Sequence, residues 1–114
     1  MSGVTDAMQE VVEKLEAAGL TATCDPRAAT PPCVLVELPN LRFDVGGGPT
    51  GEWAVVALAP NPFNLDAAAV LTDMVATIRG VLPVGRVDRY MYAISPDNPS
   101  LPAYRFQFTM GVDL

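Results

Sequence analysis

The sequence predicts an α+β domain: a mostly antiparallel sheet of about five to six strands with two helices packed on one face. Three observations predict it. Two segments carry apolar residues at helical spacing, and the strand-like segments come in runs between and after them instead of alternating with them one by one. The last strand-like segment holds an aromatic row that falls on one face and requires a covering layer. A chain of 114 residues suits one domain, 1–114, whose single core buries roughly two-thirds of the unfolded surface.

Taken in order, Met8, Val11, Val12, Leu15 and Ala18 form one stripe of a helix from Thr5 to Ala18, about 21 Å long at 1.5 Å per residue. Thr5 or Asp6 can cap its start, Glu10 and Lys14 stand four apart in the favourable order, and Gly19 can take the left-handed conformation that ends it. Leu20 to Cys24 alternates like a short half-buried strand until Asp25-Pro26 breaks it. After Thr30-Pro31-Pro32, the apolar run Cys33 to Leu38 suits a central strand buried on both faces. Leu41, Phe43 and Val45 alternate with Arg42 and Asp44 as a strand buried on one face, and Trp53 to Ala59 returns as the second arm of a hairpin. Asn61-Pro62-Phe63-Asn64 is a turn, and Asn64 or Asp66 can cap a helix with Leu71, Met74, Val75, Ile78 and Leu82 on one stripe, stopped by Pro83. Val87 to Ile94 and Tyr104 to Val112 complete the sheet, the latter with Tyr104, Phe106, Phe108, Met110 and Val112 in one row.

Composition excludes several functions. Thirteen acidic against seven basic side chains give a net charge of -6, which disfavours specific or nonspecific nucleic-acid binding because few cations are available to displace phosphate counterions. No apolar run approaches the ~20 residues of a membrane helix, and MSGVTDAMQEVVEKL lacks the basic start and apolar stretch of a signal peptide, so a soluble, unprocessed chain is expected. With no histidine and only Cys24 and Cys33, no metal site and no cofactor are expected. The two cysteines read as small, half-buried hydrophobes. A disulfide between them would require their Cα atoms to lie within ~7 Å. One lysine against six arginines, with abundant Ala, Val, Gly and Pro, points to a GC-rich genome.

The chemistry-bearing motifs are few. Gly46-Gly47-Gly48-Pro49-Thr50-Gly51 has the glycines of a phosphate loop but leads through Glu52 and Trp53 into a strand, without the Lys-Ser/Thr pair and helix N-terminus that bind phosphate. It reads as a mobile hairpin tip; in a ring-forming protein such a loop can instead reach a neighbour or the lumen. Asp44 and Glu52 can approach across the hairpin, but nothing adjacent would shift either pKa, and without histidine a hydroxyl or thiol nucleophile has no ordinary base. No active site is expected. Arg86, Asp88 and Arg89 begin a strand and suit either a solvated strand start or ion pairs with an adjacent subunit. Tyr90, Tyr92 and Tyr104 suit an interface or the polar rim of a core equally well. Pro96, Asp97 and Asn98 lie in a long turn, Ser95 to Ser100, that can also contact a neighbour.

Beyond these local readings, LEAAGLTATCDPRAATPPCVLVELP, followed by PNLRFDVGGG and VVALAPNPFNLDAAAVL, resembles the tail terminator proteins of long-tailed phages (siphovirus type), especially those of actinobacterial hosts. The resemblance spans nearly the whole chain and rests on element order and local wording. It implies a structural virion protein at the tail–neck junction, assembled in the host cytoplasm as a homo-oligomeric ring of six copies. Such a ring caps the tube of major tail protein, stops its polymerisation and offers the docking surface for the filled head through a neck or head-completion protein. DNA would pass through the ring without specific binding. The resemblance carries no catalytic residues and no motif that marks ring contacts. Two alternatives stand beside it: another head–tail connector or completion protein, and, from a different class, a small-molecule-binding module.

Overall fold

The computed structural model describes residues 3–43, 46, 48–60, 64–93 and 101–112. Its elements are helix α1 (Gly3–Ala17), strand β1 (Ala22–Thr23), a 3-10 turn (Pro26–Ala28), β2 (Cys33–Val36), β3 (Asn40–Phe43), β4 (Pro49–Leu58), α2 (Leu65–Val81), β5 (Arg86–Tyr92) and β6 (Leu101–Gly111). The strands form one six-stranded sheet in the order β1-β2-β4-β6-β5, with β3 beside the first part of β4. Every pairing is antiparallel except that of β1 with β2, so the α+β architecture expected from the sequence is the one found.

Both helices end as their sequences direct. Gly19 adopts φ +92, the left-handed conformation that glycine takes without a Cβ clash, and lets its own N–H donate to the Glu16 carbonyl while Leu20 N–H donates to Leu15. Two carbonyls of the last turn are thereby satisfied, and Leu20 folds back onto the core. At the start of α2 the Asn64 side chain accepts from Ala67 N–H at 2.9 Å, so Asn64 is the cap. Leu82 N–H still donates to Ile78, and Pro83 follows, unable to continue the ladder. Asp25 caps the 3-10 turn by accepting from Arg27 N–H, and the Pro31-Pro32 peptide is cis.

The core lies between the helices and one face of the sheet. Val11, Val12 and Leu15 of α1 and Leu71, Met74 and Ile78 of α2 pack on Val34, Val36, Trp53, Val55, Ala57, Phe106 and Phe108. Trp53 and Phe108 stack with centroids 6.0 Å apart and planes 8° apart, a geometry contributing about 0.5–1.5 kcal/mol beyond area burial. The row of β6 thus faces the helices as expected. On the opposite face Cys33, Val56, Leu58 and Ala103 form a second, smaller cluster with Ala29 and Tyr92 against it.

Several sequence expectations are corrected. α1 begins two residues before Thr5, and Ala18 lies beyond its last turn, exposed. β2 lies inside the sheet between β1 and β4 and is buried on both faces as expected, but it stops at Val36, short of Leu38. β4 starts at Pro49 and β6 at Leu101, both earlier than the apolar alternation alone suggests, because antiparallel partners hold them in register from Thr50 opposite Gly111 to Leu58 opposite Ala103. The largest departure is β3: Leu41 and Phe43 are exposed, where a buried face was expected. The reason is coverage. Among the described residues β3 has substantial contacts only with β4 and none with a helix, so its alternation faces no layer.

Candidate subunit interface

The hairpin residues can be placed one by one. Asn40 pairs with Glu52, Leu41 with Gly51, Arg42 with Thr50 and Phe43 with Pro49. Opposed residues of an antiparallel pair point to the same side, so the row Leu41, Gly51, Met110 runs across β3, β4 and β6 on the helix-covered side. Met110 meets the core there, while Phe43 is 66 % exposed at the hairpin's outer strand. Leu38, just before β3, is 74 % exposed.

The glycine-rich stretch is therefore not one loop. Pro49, Thr50 and Gly51 belong to β4, Gly46 sits in the turn with φ +82, Gly48 is exposed, and Gly47 lies outside the described residues, as does Asp44. Gly51 has a packing role that its place in a glycine cluster concealed. A Cβ there would stand 2.5 Å from Trp53 Nε1 and 2.8 Å from a Val112 methyl carbon, so the missing side chain makes room for the indole. Trp53 Nε1 is the one buried side-chain polar atom without a hydrogen-bond partner among the described residues.

At the other side of the sheet β5 is an edge strand, and its period-2 geometry separates the charged cluster that begins it. Arg86 and Asp88, opposite Gln107 and Arg105, lie on the helix-free face and pair with each other, Nε to Oδ2, at 2.8 Å. Both are exposed, so the pair contributes about 0–1 kcal/mol, and Arg86 already has its carboxylate within the chain. Arg89, opposite Tyr104, falls on the helix side. There it lines a groove of about 500 Å³ between β5 and α2, with Ala68, Leu71, Thr72, Met91 and Tyr104 among the other walls. Met91 is 61 % exposed. Of the tyrosines, Tyr104 packs on the main core, Tyr92 on the smaller cluster, and Tyr90 is exposed at the groove. Pro96, Asp97 and Asn98 lie outside the described residues.

Sequence reasoning missed one long-range contact. Arg105 of β6 donates from Nε to Oε1 of Glu37 at 3.1 Å, across the helix-free face of β4. With both side chains about one-third exposed, it locks the strand order more than it adds stability. Its only signal in the sequence is a single opposite-charge pair 68 residues apart. The same face pushes the Tyr92 hydroxyl above the usual tyrosine range, chiefly by burial, with the Glu37 carboxylate adding to it. Burial also raises both cysteine thiols; both are free, Cys24 exposed and Cys33 buried, so neither is half-buried as expected.

Among the described residues no group of three or more His, Cys, Asp or Glu side chains could hold a metal, and Glu52 is exposed. No helix among them is long and apolar enough to cross a membrane. Two unlike apolar patches stand out: the hairpin arm with Leu41 and Phe43, and the β5 groove with Met91 and Arg89. Comparison with protein-family models and with curated proteins gives no match to this sequence.

Proposed function

We propose that this chain is a structural subunit that closes into a ring of identical copies, six in number, and terminates a phage tail tube. The observation that carries the reading is the pair of different apolar patches at opposite sides of one sheet, because a head-to-tail ring requires each subunit to carry two different complementary surfaces. The resemblance of Leu15–Leu71 to tail terminators supplies the biological setting: a ring on the last layer of tube subunits, stopping their polymerisation and presenting the surface to which the filled head docks through a neck protein. The acidic balance of the chain fits a lumen through which DNA passes without being held.

A second reading has one observation in its favour. The β5 groove has a volume within the ~300–1,000 Å³ of small-molecule sites. It lies open along an edge strand, with Arg89 as its only charged wall among the described residues, where a specific ligand site needs several convergent polar groups. Electron microscopy of particles that lack this protein tests the choice. Overlong tubes without heads support termination; tails of normal length firmly joined to heads refute it.

A further inference from the structure

We infer that the neighbour contact in this ring is made by the β3 arm of one copy, with Leu41 and Phe43, seated along the β5–α2 groove of the next. The inference rests on the ring reading and names its surfaces.

Geometry forbids the patches from satisfying each other within one copy. Leu41 stands beside Gly51 near the start of β4, whereas Met91 stands opposite Pro102, level with the end of β4 and two strands beyond it. Eight residues along the sheet at about 3.3 Å and three strand spacings at about 4.8 Å place them about 30 Å apart. Neither patch can therefore cover the other within one copy.

Facing also fits. Leu41 and Phe43 project to the helix side of their sheet, and the groove opens on the helix side of the receiving sheet, where Leu71 and Thr72 of α2 form its wall. Two copies placed with their helices in one layer bring the apolar arm under α2 and beside edge strand β5. Side chains at i and i+2 of a strand lie about 6.6 Å apart, a spacing that lets Leu41 and Phe43 enter the groove together. Among the described residues β3 and β5 each have one edge without a strand partner, so main-chain pairing can accompany the side-chain contact.

Charge decides between a second copy in head-to-tail order and one related by a two-fold axis. α1, which packs over β1 and β2 on the arm's side of the sheet, carries Asp6, Glu10, Glu13 and Glu16 against Lys14, a net -3 from four acids and one lysine. On the groove side β5 carries Arg86 and Arg89 against Asp88, and α2 carries Arg79 against Asp66 and Asp73, a net of zero. Like-with-like pairing of the arm sides opposes acid to acid, relieved only by Arg42 of β3, whereas arm-to-groove pairing sets the acidic side of one copy against a side of no net charge with Arg89 at the groove.

Disulfide trapping tests the contact in the full chain, with Cys24→Ser removing the exposed native thiol. Phe43→Cys and Met91→Cys replace exposed side chains, and circular dichroism confirms that each variant folds. Under mild oxidation, an equimolar mixture of the two single variants should give a dimer, each alone should stay monomeric, and the double variant should give a ladder that ends in a closed species. Arg89→Glu in the Met91→Cys chain should slow trapping about tenfold at low ionic strength. Dimers from Phe43→Cys alone, or no mixed dimer either in concentrated protein or in assembled particles, overturn the contact. The two readings fail separately. A mixed dimer with normal tails in particles lacking the protein keeps the contact and removes the terminator role, whereas overlong tubes without a mixed dimer do the reverse.

Discussion

Replacing Gly51 with alanine should destabilise the protein far more than its place in a glycine-rich stretch suggests. The added Cβ would meet Trp53 Nε1 at 2.5 Å, a Val112 methyl carbon at 2.8 Å and the Met110 carbonyl oxygen at 3.2 Å, all closer than ordinary contact. None of the three yields cheaply. The carbonyl belongs to the β4–β6 ladder, Val112 is buried, and the indole stacks on Phe108. Overpacking of this kind costs about 1–3 kcal/mol. At this chain length roughly 4 °C of melting temperature corresponds to each kcal/mol, so the midpoint should fall by about 4–12 °C. Trp53 is the only tryptophan, which makes its fluorescence the natural probe: the melt gives the shift, and the native spectrum should move as the ring is displaced. A midpoint within about 1 °C of the parent together with an unchanged spectrum would show that the indole does not depend on the space at Gly51.

Other outcomes follow from the same packing. Gly80→Ala, inside α2 with open space around its Cα, should instead stabilise by about 0.5–1 kcal/mol in a denaturant titration, and a loss of similar size would mean that α2 is frayed there. Phe106→Ala, at a fully buried site, should cost about 3–5 kcal/mol; a loss below about 1 kcal/mol would place the β6 row on the wrong face. Cys24 should react with a thiol reagent in the native protein, and Cys33 only after unfolding. Because burial raises the Cys33 thiol above its unfolded value, its contribution to stability is fully present below the ordinary thiol pKa and is lost as pH rises through the folded value. Cys33→Ser should flatten that alkaline slope, and an unaltered slope would assign it elsewhere, Tyr92 first.

Much of the fold was legible because period and caps are local. The stripe of α2 and the Asn64 cap follow from a few adjacent residues, and the alternation of Tyr104, Phe106 and Phe108 assigns a side to each. Alternation does not say whether anything covers that side. Leu41 and Phe43 alternate as well as Phe106 and Phe108 do, yet only the latter lie under helices. That difference depends on where α1 and α2 come to rest, a tertiary matter. The charged cluster on β5 was visible as a group, but adjacent strand residues point to opposite faces, which divides Arg89 from Arg86 and Asp88. The β5 groove and the Glu37–Arg105 bridge join residues far apart in the chain and have no local signature.

The two-residue length of β1 has a consequence for how this sheet meets other chains. A long, flat edge is a template on which any extended segment can grow, and repeated growth gives fibres. At the β1 edge an incoming strand meets only Ala22 and Thr23 before the chain turns away at Asp25 and Pro26, too few positions to fix a register. The opposite edge offers seven residues of β5, interrupted on alternate faces by Arg86, Asp88 and Arg89, which reject strands lacking matching charges. Sheet extension is thus nearly closed at β1 and selective at β5, which leaves the four-residue β3 as the longer stretch of edge on the β1 side.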